Sequence, residues 1–370
     1  MTPRERLLTA YRGGKPDRVP VFVRGVYPYN KRFCERMHPS FKPLIDLVRE
    51  KCDQVAFVGY DRGLMLTAPS AYSVTSRVVS ETDTQTVHEH LIETPKGPIT
   101  QQVTQAKGQP SLTTKYWVET DEDLERVLSI PYVSPEPDVS EWRDQDSILG
   151  DKGVAFPEIS DAVSIVVNLF GSEEFAIRSI TRRDELIEII GLMNERVLDY
   201  YGKLMDAGIG PVIASNGQEY ITPPLHGPQD FHDFVVPFDK ELVRLVHDKG
   251  RIMRIHCHGP VLKALDGFLE IGVDALHPVE APPMGDCTAA DFRAKVGNRM
   301  CMKGNIQIGD LFSSTAEDIR EQVRNLIADC GTDGALIVAP TASPYLRELT
   351  PQALANYTAM VDSTHEFGQY

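Results

Sequence analysis

Two histidines stand two residues apart in the motif His256-Cys257-His258-Gly259-Pro260, directly after the apolar run Ile252–Ile255. Side chains two apart on a strand share a face, so both imidazoles should point one way and Cys257 the other. Two imidazoles at a strand end make half of a metal site, and zinc accepts two histidines plus one carboxylate. The spacing leaves the alternative open that both are hydrogen-bonded polar residues lining a cleft.

Two glutamates follow the ends of other predicted strands and are the candidates to complete such a metal site. Glu219 lies after the run Pro211–Ala214, and Glu280 lies after the run Val273–Leu276. Each is equally explained as a solvated loop carboxylate or a salt-bridge partner. Arg24, at the end of the first predicted strand, would either bind an anionic substrate or pair with an acidic loop.

Four further residues in the predicted strand-end loops are candidates for contacting a substrate. Amide side chains could orient a substrate, and aromatic rings could line the pocket, although aromatic residues near loops more often serve packing. These candidates are Asn216, Tyr220, Gln307 and Tyr345.

Apolar strand-like runs alternate with helical patterns along the chain and would position these residues. Within Arg251–Asp286, a strand, a helix and a strand follow one another, and polar residues come after each strand. About eight such alternations with short links predict an α/β fold, a parallel (β/α)8 TIM-like barrel, whose chemistry sits at the carboxyl ends of the strands. Gln54–Val58 is one such strand, ending in Gly59-Tyr60-Asp61-Arg62, and Ser164–Leu169 is another.

One segment departs from this alternation. Thr75–Gln105 is rich in Thr and Val, alternates with a period of two, and contains a turn at Thr94–Pro98. This pattern predicts a small antiparallel β insertion, at about residues 75–105, near the mouth of the barrel. We predict a single barrel domain over residues 1–370.

Bulk properties narrow the class of protein. The 42% hydrophobic and 25% charged content of the 370 residues is typical of a soluble globular protein. The net charge of −15, with no Lys/Arg-rich run, argues against nucleic acid as a partner. No run approaches the roughly 20 apolar residues of a membrane span. The six cysteines are scattered without a CxxC motif, and the first residues do not form a signal-peptide pattern, so we expect a cytoplasmic protein with reduced thiols.

Several stretches, in order and spacing, resemble the uroporphyrinogen decarboxylase superfamily. The resemblance covers nearly the whole chain and implies a distorted (β/α)8 barrel with a cleft at the carboxyl ends of its strands. The stretches are Thr2–Arg6, Pro16–Val21, Glu93–Gly97, His247–Gly250, Gly272–Asp274, Lys303–Ile306 and Asn356-Tyr357.

The superfamily has two chemical branches, and the chain is more similar to the second. True decarboxylases resemble one another in a Gln-Ala-Gly-Arg stretch, of which Val23-Arg24-Gly25-Val26 keeps one arginine. Methyltransferases that work with corrinoid proteins carry His-x-Cys-Gly at a strand end and a second Cys near the last strand, which together bind zinc. Here His256 is kept, His258 stands in place of the Cys, and Val338–Pro344 contains no Cys.

This resemblance implies a cobalamin-dependent methyltransferase that demethylates a small methylated substrate and passes the methyl group to a separate corrinoid protein. His256, His258, Glu219 and Arg24 would be catalytic, and zinc would be held by the two histidines with Glu219 or Glu280. Without thiolate ligands, zinc would be a stronger Lewis acid that polarises the substrate. The chain is not expected to carry its own corrinoid, because the nearest match to Asp-x-His-x-x-Gly lacks the Gly and lies in a predicted helix.

Two other functions remain open from the sequence. The first is a decarboxylase or lyase for a small carboxylated substrate, in which Arg24 would hold the carboxylate and His256 or His258 would protonate the carbanion. The second is a non-catalytic binding protein that kept the barrel, since a fold alone does not prove activity.

Overall fold

The computed structural model describes residues 1–60 and 63–370. Asp61 and Arg62, which end the predicted strand Gln54–Val58 and its polar tail, lie outside the described residues. The chain divides into two compact units: the first comprises Met1–Tyr60, Asp138–Ile159 and Leu204–Tyr370, and the second comprises residues 63–137 and Ser160–Lys203. The prediction of one domain over residues 1–370 stays a prediction.

Two sheets organise the described part of the chain. Their strands, in chain order, are β1 (Gln54–Gly59), β2 (Val74–Glu81), β3 (Gln85–Thr94), β4 (Gly97–Ala106), β5 (Ser111–Lys115), β6 (Gly153–Ser160), β7 (Val212–Asn216), β8 (Ile252–His256), β9 (Ala275–His277), β10 (Cys301–Ile306) and β11 (Leu336–Pro340). One sheet has the order β1-β6-β7-β8-β9-β10-β11, and the other has the order β2-β3-β4-β5.

The seven-stranded sheet is the parallel sheet of the predicted barrel. Strand pairs such as β1–β6, β7–β8 and β10–β11 run parallel. Val21 forms a parallel bridge to Val338, and its carbonyl oxygen accepts a hydrogen bond of 2.9 Å from the amide of Asp53, just before β1. The segment around Val21 therefore lies between the two outer strands, β1 and β11, and takes the place of the eighth strand of the barrel. The predicted α/β fold, a (β/α)8 TIM-like barrel, is confirmed.

The helices of the described residues fill the links between strands. They are α1 (Pro3–Tyr11), α2 (Lys31–Arg36), α3 (Lys42–Lys51), α4 (Asp121–Leu128), α5 (Ser140–Leu149), α6 (Ala162–Thr181), α7 (Arg183–Asp206), α8 (Pro228–Phe234), α9 (Val236–Asp248), α10 (Leu265–Ile271), α11 (Ala289–Val296), α12 (Asp310–Ser313), α13 (Ala316–Cys330) and α14 (Pro351–Phe367). Within the described ranges, no helix has both the length and the apolar character that crossing a bilayer requires.

Helix α1 covers the amino-terminal end of the barrel. Its side chains Leu7, Ala10 and Tyr11 belong to one buried cluster with residues near the starts of the strands. Those partners include Val55, Val154, Val212, Ile252 and Cys301. The polar residues that follow the strands therefore lie at the other, carboxyl-terminal end.

The predicted antiparallel insertion is also confirmed, and it is longer than predicted. Strands β3 and β4 pair from Gln85 with Ala106 to Thr94 with Gly97, which places the hairpin turn at the Pro95-Lys96 dipeptide. The Thr94 hydroxyl donates a 2.7 Å hydrogen bond to the Gly97 carbonyl across this turn. Strands β2 and β5 extend the sheet on either side of the hairpin.

The predicted strand Ser164–Leu169 is wrong, because these residues lie inside helix α6. Asp161 caps that helix: its carboxylate accepts a 2.7 Å hydrogen bond from the Ser164 amide. A short, fully buried apolar run has no period that separates strand from helix, so the capping residue decides.

Candidate active site

The two histidines of the motif meet at the end of β8. His256 is the last residue of the strand, and His258 follows one residue later. Their rings contact edge to face, with 4.7 Å between centroids and an interplanar angle of 87°. The intervening Cys257 is completely buried. The chain thus presents two imidazoles at the carboxyl end of the barrel.

A third histidine, which the sequence reasoning did not single out, joins them. His277 ends the neighbouring strand β9 and is the register partner of His256. The two rings stack with 5.0 Å between centroids, and their Nδ1 atoms are 2.8 Å apart. The signal was present in the sequence, because His277 also ends a predicted strand.

The hydrogen bonds of His277 determine which nitrogen of each ring carries the proton. His277 Nε2 lies 3.2 Å from the carbonyl oxygen of Pro340, which can only accept, so Nε2 must donate. His277 Nδ1 is then the acceptor for a proton on His256 Nδ1. This assignment from the network leaves a lone pair on His256 Nε2.

Both inner histidines are neutral. Burial, and then the positive charges of Arg254 and Arg24, hold the pKa of His256 far below its usual range. Burial and Arg254 likewise hold the pKa of His277 well below its usual value. His256 therefore accepts hydrogen bonds and cannot serve as an imidazolium acid near neutral pH.

His258 has a different environment, because a carboxylate holds it. Its Nδ1 lies 3.2 Å from Glu280 Oε2, which also accepts a 2.9 Å hydrogen bond from the Gly259 amide. The amide of Gln307 donates to Glu280 Oε1 at 3.3 Å, and the Thr341 hydroxyl donates to Gln307 at 2.6 Å. Hydrogen-bonded groups from three strand ends therefore orient His258.

The same contacts keep Glu280 ionised. Burial alone would raise its pKa, but the hydrogen bonds from His258 and from the Gly259 amide outweigh burial and leave the pKa below its usual value. His258 keeps 39% of its side chain exposed while Glu280 keeps 7%. The pair thus presents an accessible imidazole backed by a buried carboxylate.

Two basic side chains are buried close to the histidines. Arg254 precedes His256 by two residues on β8, and Lys303 lies on β10; both are completely buried. Among the described residues, Arg254 Nε and Nη1 and Lys303 Nζ have no hydrogen-bond partner. Arg254 Nη2 lies 3.4 Å from His256 Nδ1. In the assigned tautomer His256 Nδ1 carries a proton, which it donates to His277, so it cannot accept from Arg254.

Burial perturbs both of these groups. Burial and then the charge of Arg24 lower the pKa of Arg254 to about 10. The pKa of Lys303 falls well below its usual value because of burial and then the charge of Arg254. The amine of Lys303 lies 4.2 Å from the ring centroid of Phe22 and 5.2 Å from that of Phe156.

The structure brings some of the predicted site residues together and leaves others apart. Arg24 lies over Phe57 at 5.5 Å, and its Nη1 is buried without a partner among the described residues. Asn216 is the register partner of His256. Tyr220 lies in the 3-10 turn Gln218–Ile221 that follows β7.

Glu219 and Tyr345 do not contact the histidines. The Glu219 carboxylate folds back to accept a 3.1 Å hydrogen bond from the Gly217 amide in its own turn. Tyr345 is 62% exposed and packs on Phe312, with 4.7 Å between ring centroids.

The described residues do not fit the expected zinc site. Nowhere in residues 1–60 and 63–370 do three or more His, Cys, Asp or Glu side chains form a group that could hold a metal ion. A dication at His256 would also face Arg254 and Arg24, whose charges already disfavour a proton there. We therefore derive no catalytic step through zinc.

Comparison with known proteins agrees with the barrel fold. A family model described as uroporphyrinogen decarboxylase (URO-D) matches residues 164–367, which is more than half of the chain. A methyltransferase from Methanosarcina mazei has a similar fold: its TM-score is 0.65 at 17% identity, with 99% of each chain covered. A sugar phosphate isomerase/epimerase from Parabacteroides distasonis gives a TM-score of 0.34 at 10% identity, covering 61% of this chain and 76% of that one. No curated protein sequence matches the chain.

The fold is an α/β barrel, and histidines and a glutamate meet at the carboxyl ends of its strands, as in an enzyme. The chain belongs to the uroporphyrinogen decarboxylase family.

Proposed function

We propose that this protein is a methyltransferase that demethylates a small methylated substrate and passes the methyl group to a corrinoid carried by a separate protein. The observation that carries the proposal is the His258–Glu280 pair, whose Nδ1 to Oε2 distance is 3.2 Å. It places an accessible imidazole at the open end of the barrel, where a proton can be given to a leaving group. The similar fold of a methyltransferase over the full chain supports the same class.

In this reaction, His258 supplies the proton that the leaving group needs. The reduced corrinoid of the partner supplies the electron pair for the new bond to the methyl carbon. The bond from that carbon to the substrate oxygen or nitrogen breaks, and its electron pair stays on the heteroatom. Protonated His258, with Nδ1–H donated to Glu280, gives its Nε2 proton to that heteroatom.

The neutral histidines have a positioning role in this scheme. His277 fixes the tautomer of His256, so that the Nε2 lone pair of His256 can accept a hydrogen bond from the substrate. Because His256 does not become charged, it adds no positive charge next to protonated His258.

The test uses the purified protein with free cob(I)alamin as the methyl acceptor. The donors would be a panel of methoxylated compounds, methylated amines and methanol, each with a deuterated methyl group. The readout is loss of the cob(I)alamin absorption together with transfer of the deuterium label to the cobalamin. We expect at least one donor to react. His258→Gln should lower kcat by about 100-fold or more. His232→Gln is the matched control, because His232 is an exposed histidine on α8, and this variant should react like wild type.

No transfer from any donor, or equal rates for wild type and His258→Gln, would reject this proposal. The experiment also detects reaction without a separate corrinoid protein, so failure to identify that partner does not obscure the result.

A second candidate function, decarboxylation or another lyase reaction of a small carboxylated substrate, is favoured by the unpaired cations inside the barrel. In that reaction Arg24 would hold the carboxylate. His258 would protonate the carbanion, because neutral His256 is a poor proton donor. Release of labelled CO2 from carboxyl-labelled acids, without consumption of cob(I)alamin, would select this function.

A further inference from the structure

We propose that the interior of this barrel binds the carboxylate of a small monocarboxylate, with Arg254 as its principal ligand and Arg24 as a second positive group. Only the statement that this monocarboxylate is the substrate rests on the proposed function. The anion site itself is argued from the buried charges.

The first observation is that Arg254 is buried and largely unpaired. It is 0% exposed, and two of its three guanidinium nitrogens have no hydrogen-bond partner among the described residues. A buried guanidinium is costly unless a negative group pairs with it, and carboxylates suit it well. A folded chain that keeps such a group is consistent with an anion that arrives from outside.

The second observation is the charge around Arg254. Arg24 is a second guanidinium that acts on it, and Glu158 is the carboxylate that does so. In the described part of the chain, Glu158 forms no ion pair within 4 Å. Even with a neutral Lys303, the two guanidinium groups carry more positive charge than Glu158 balances.

The third observation is the small size of the residues beside Arg254. Arg254 pairs in register with Ala214 on one neighbouring strand and with Ala275 on the other. Arg254 is the largest of the fully buried side chains. Because an alanine side chain ends at Cβ and has no polar atom, neither register neighbour can pair with the guanidinium.

The position of the Arg254 guanidinium limits the length of the ligand. Its Nη2 lies 3.4 Å from His256 Nδ1, and the rings of His256 and His258 are 4.7 Å apart between centroids. A molecule with its carboxylate at Arg254 and its reacting heteroatom at His258 would therefore be no longer than about one aromatic ring.

Aromatic rings accompany the second guanidinium, because Arg24 lies over Phe57 at 5.5 Å. Phe22, Phe57 and Phe156 face the same interior and surround the amine of Lys303 at 4.2–5.7 Å. We therefore assign the ligand to the class of small aromatic or compact aliphatic monocarboxylates.

The test compares benzoate with benzamide, its neutral isostere, by calorimetry and thermal unfolding in chloride-free buffer. We expect benzoate to bind and to raise the unfolding temperature of the wild type, and benzamide at the same concentration to do neither. Arg254→Met should weaken benzoate binding by about 10- to 100-fold, because a charged hydrogen bond is lost. Arg251→Met, at the start of the same strand with its guanidinium on backbone carbonyls, is the matched control and should retain binding.

A second variant keeps the proposal testable if Arg254→Met does not fold. Ala214→Val adds bulk at the register neighbour of Arg254 without changing any charge, and it should weaken benzoate binding. The proposal is overturned if benzoate and benzamide act alike, or if both variants that fold bind benzoate as tightly as wild type.

The readout separates this inference from the methyl-transfer proposal, because binding is measured without turnover. Benzoate binding that depends on Arg254 supports the anion site even if no methyl transfer is found. Methyl transfer without such binding would leave the proposed function standing and overturn the anion site.

Discussion

Two groups of buried charges in the barrel unit are handled in opposite ways. Just before β1, Asp53 is completely buried and accepts from Arg6 at 2.6 Å, from Arg18 at 3.2 Å and from the Val21 amide at 3.0 Å. In the barrel interior, Arg254 and Lys303 are equally buried, yet they lack such partners among the described residues.

This difference separates buried polar groups that hold the fold together from buried polar groups that the fold itself does not pair. The Asp53 cluster connects α1, the segment around Val21 and the start of β1. Its charges are paired by residues of the chain itself. Arg6 shows the balance: burial would lower its pKa, but hydrogen bonds to Asp17 and Asp53 outweigh burial and raise it. Unpaired buried charges in the same unit are therefore unusual by this chain's own standard.

The largest effect should follow from breaking the paired cluster. Asp53→Ala removes the common acceptor and leaves Arg18 and the Val21 amide without their buried partner. We expect the free energy of unfolding in urea to fall by about 3–5 kcal/mol. A loss under 1 kcal/mol would show that the cluster is not a structural tie.

The next effect concerns the pair at the barrel mouth. Glu280→Gln keeps the shape but removes the charge beside His258, and we expect kcat for methyl transfer to fall by about 10- to 100-fold with little change in KM. Because the pKa of Glu280 is lowered in the fold, its stabilising charge is present at neutral pH and lost as pH falls through that lowered pKa.

Unfolding measured between pH 3 and pH 7 supplies the control for Glu280→Gln. The stability difference between wild type and variant should shrink towards the acid end. A difference that grows on acidification would contradict the ionised state assigned to Glu280.

A stabilising effect is expected from the unpaired group Lys303. Lys303→Met replaces a buried amine that lacks a hydrogen bond with an apolar side chain of similar length, and should raise the free energy of unfolding by about 1–3 kcal/mol. The groups whose charges act on this amine include Arg254, Arg24, Cys301 and Glu158.

The pH dependence of the Lys303→Met gain tests the neutral state of the amine. With a folded pKa well below the usual value, the unfolded chain binds the extra proton, so wild-type stability rises with pH towards about 10.5. The gain from Lys303→Met should therefore be larger at pH 7 than at pH 9.5. A loss of stability instead would mean that the aromatic rings hold a charged ammonium.

The smallest effect should come from a charge pair on the surface. Asp46 on α3 lies 2.7 Å from both Lys42 and Arg49, but 46% of its side chain is exposed. Asp46→Ala should leave the midpoint of urea unfolding almost unchanged, because solvent screens an exposed ion pair. It is the matched control for Asp53→Ala, because both remove an aspartate that contacts two cations.

The sequence predicts well which residues end the strands, and it predicts poorly which of these residues become neighbours in the sheet. The period-two rule places His256 and His258 together, and the same rule applied one step back along β8 also places Arg254 on the face of His256. His277 was missed because its contact depends on which strands are neighbours and on their register. Period and composition do not specify these features.

Loop conformation limits the remainder of the site prediction. Glu219 follows its strand as predicted, but the 3-10 turn after β7 brings its carboxylate back to Gly217. Lys303 was not predicted as a site residue, although it lies within β10 and is buried, and a buried charged residue is itself a signal.

The cover that α1 places over the amino-terminal end of the barrel has a consequence for the order of events. Under the proposed function, donor, product and methyl acceptor would all use the carboxyl-terminal opening of this barrel. A methylated donor would have to load before a bulky acceptor protein docks, and the demethylated product would leave after the acceptor departs. Turnover under the proposed function should therefore follow an ordered sequence, and a large excess of acceptor protein should slow it by blocking the entrance.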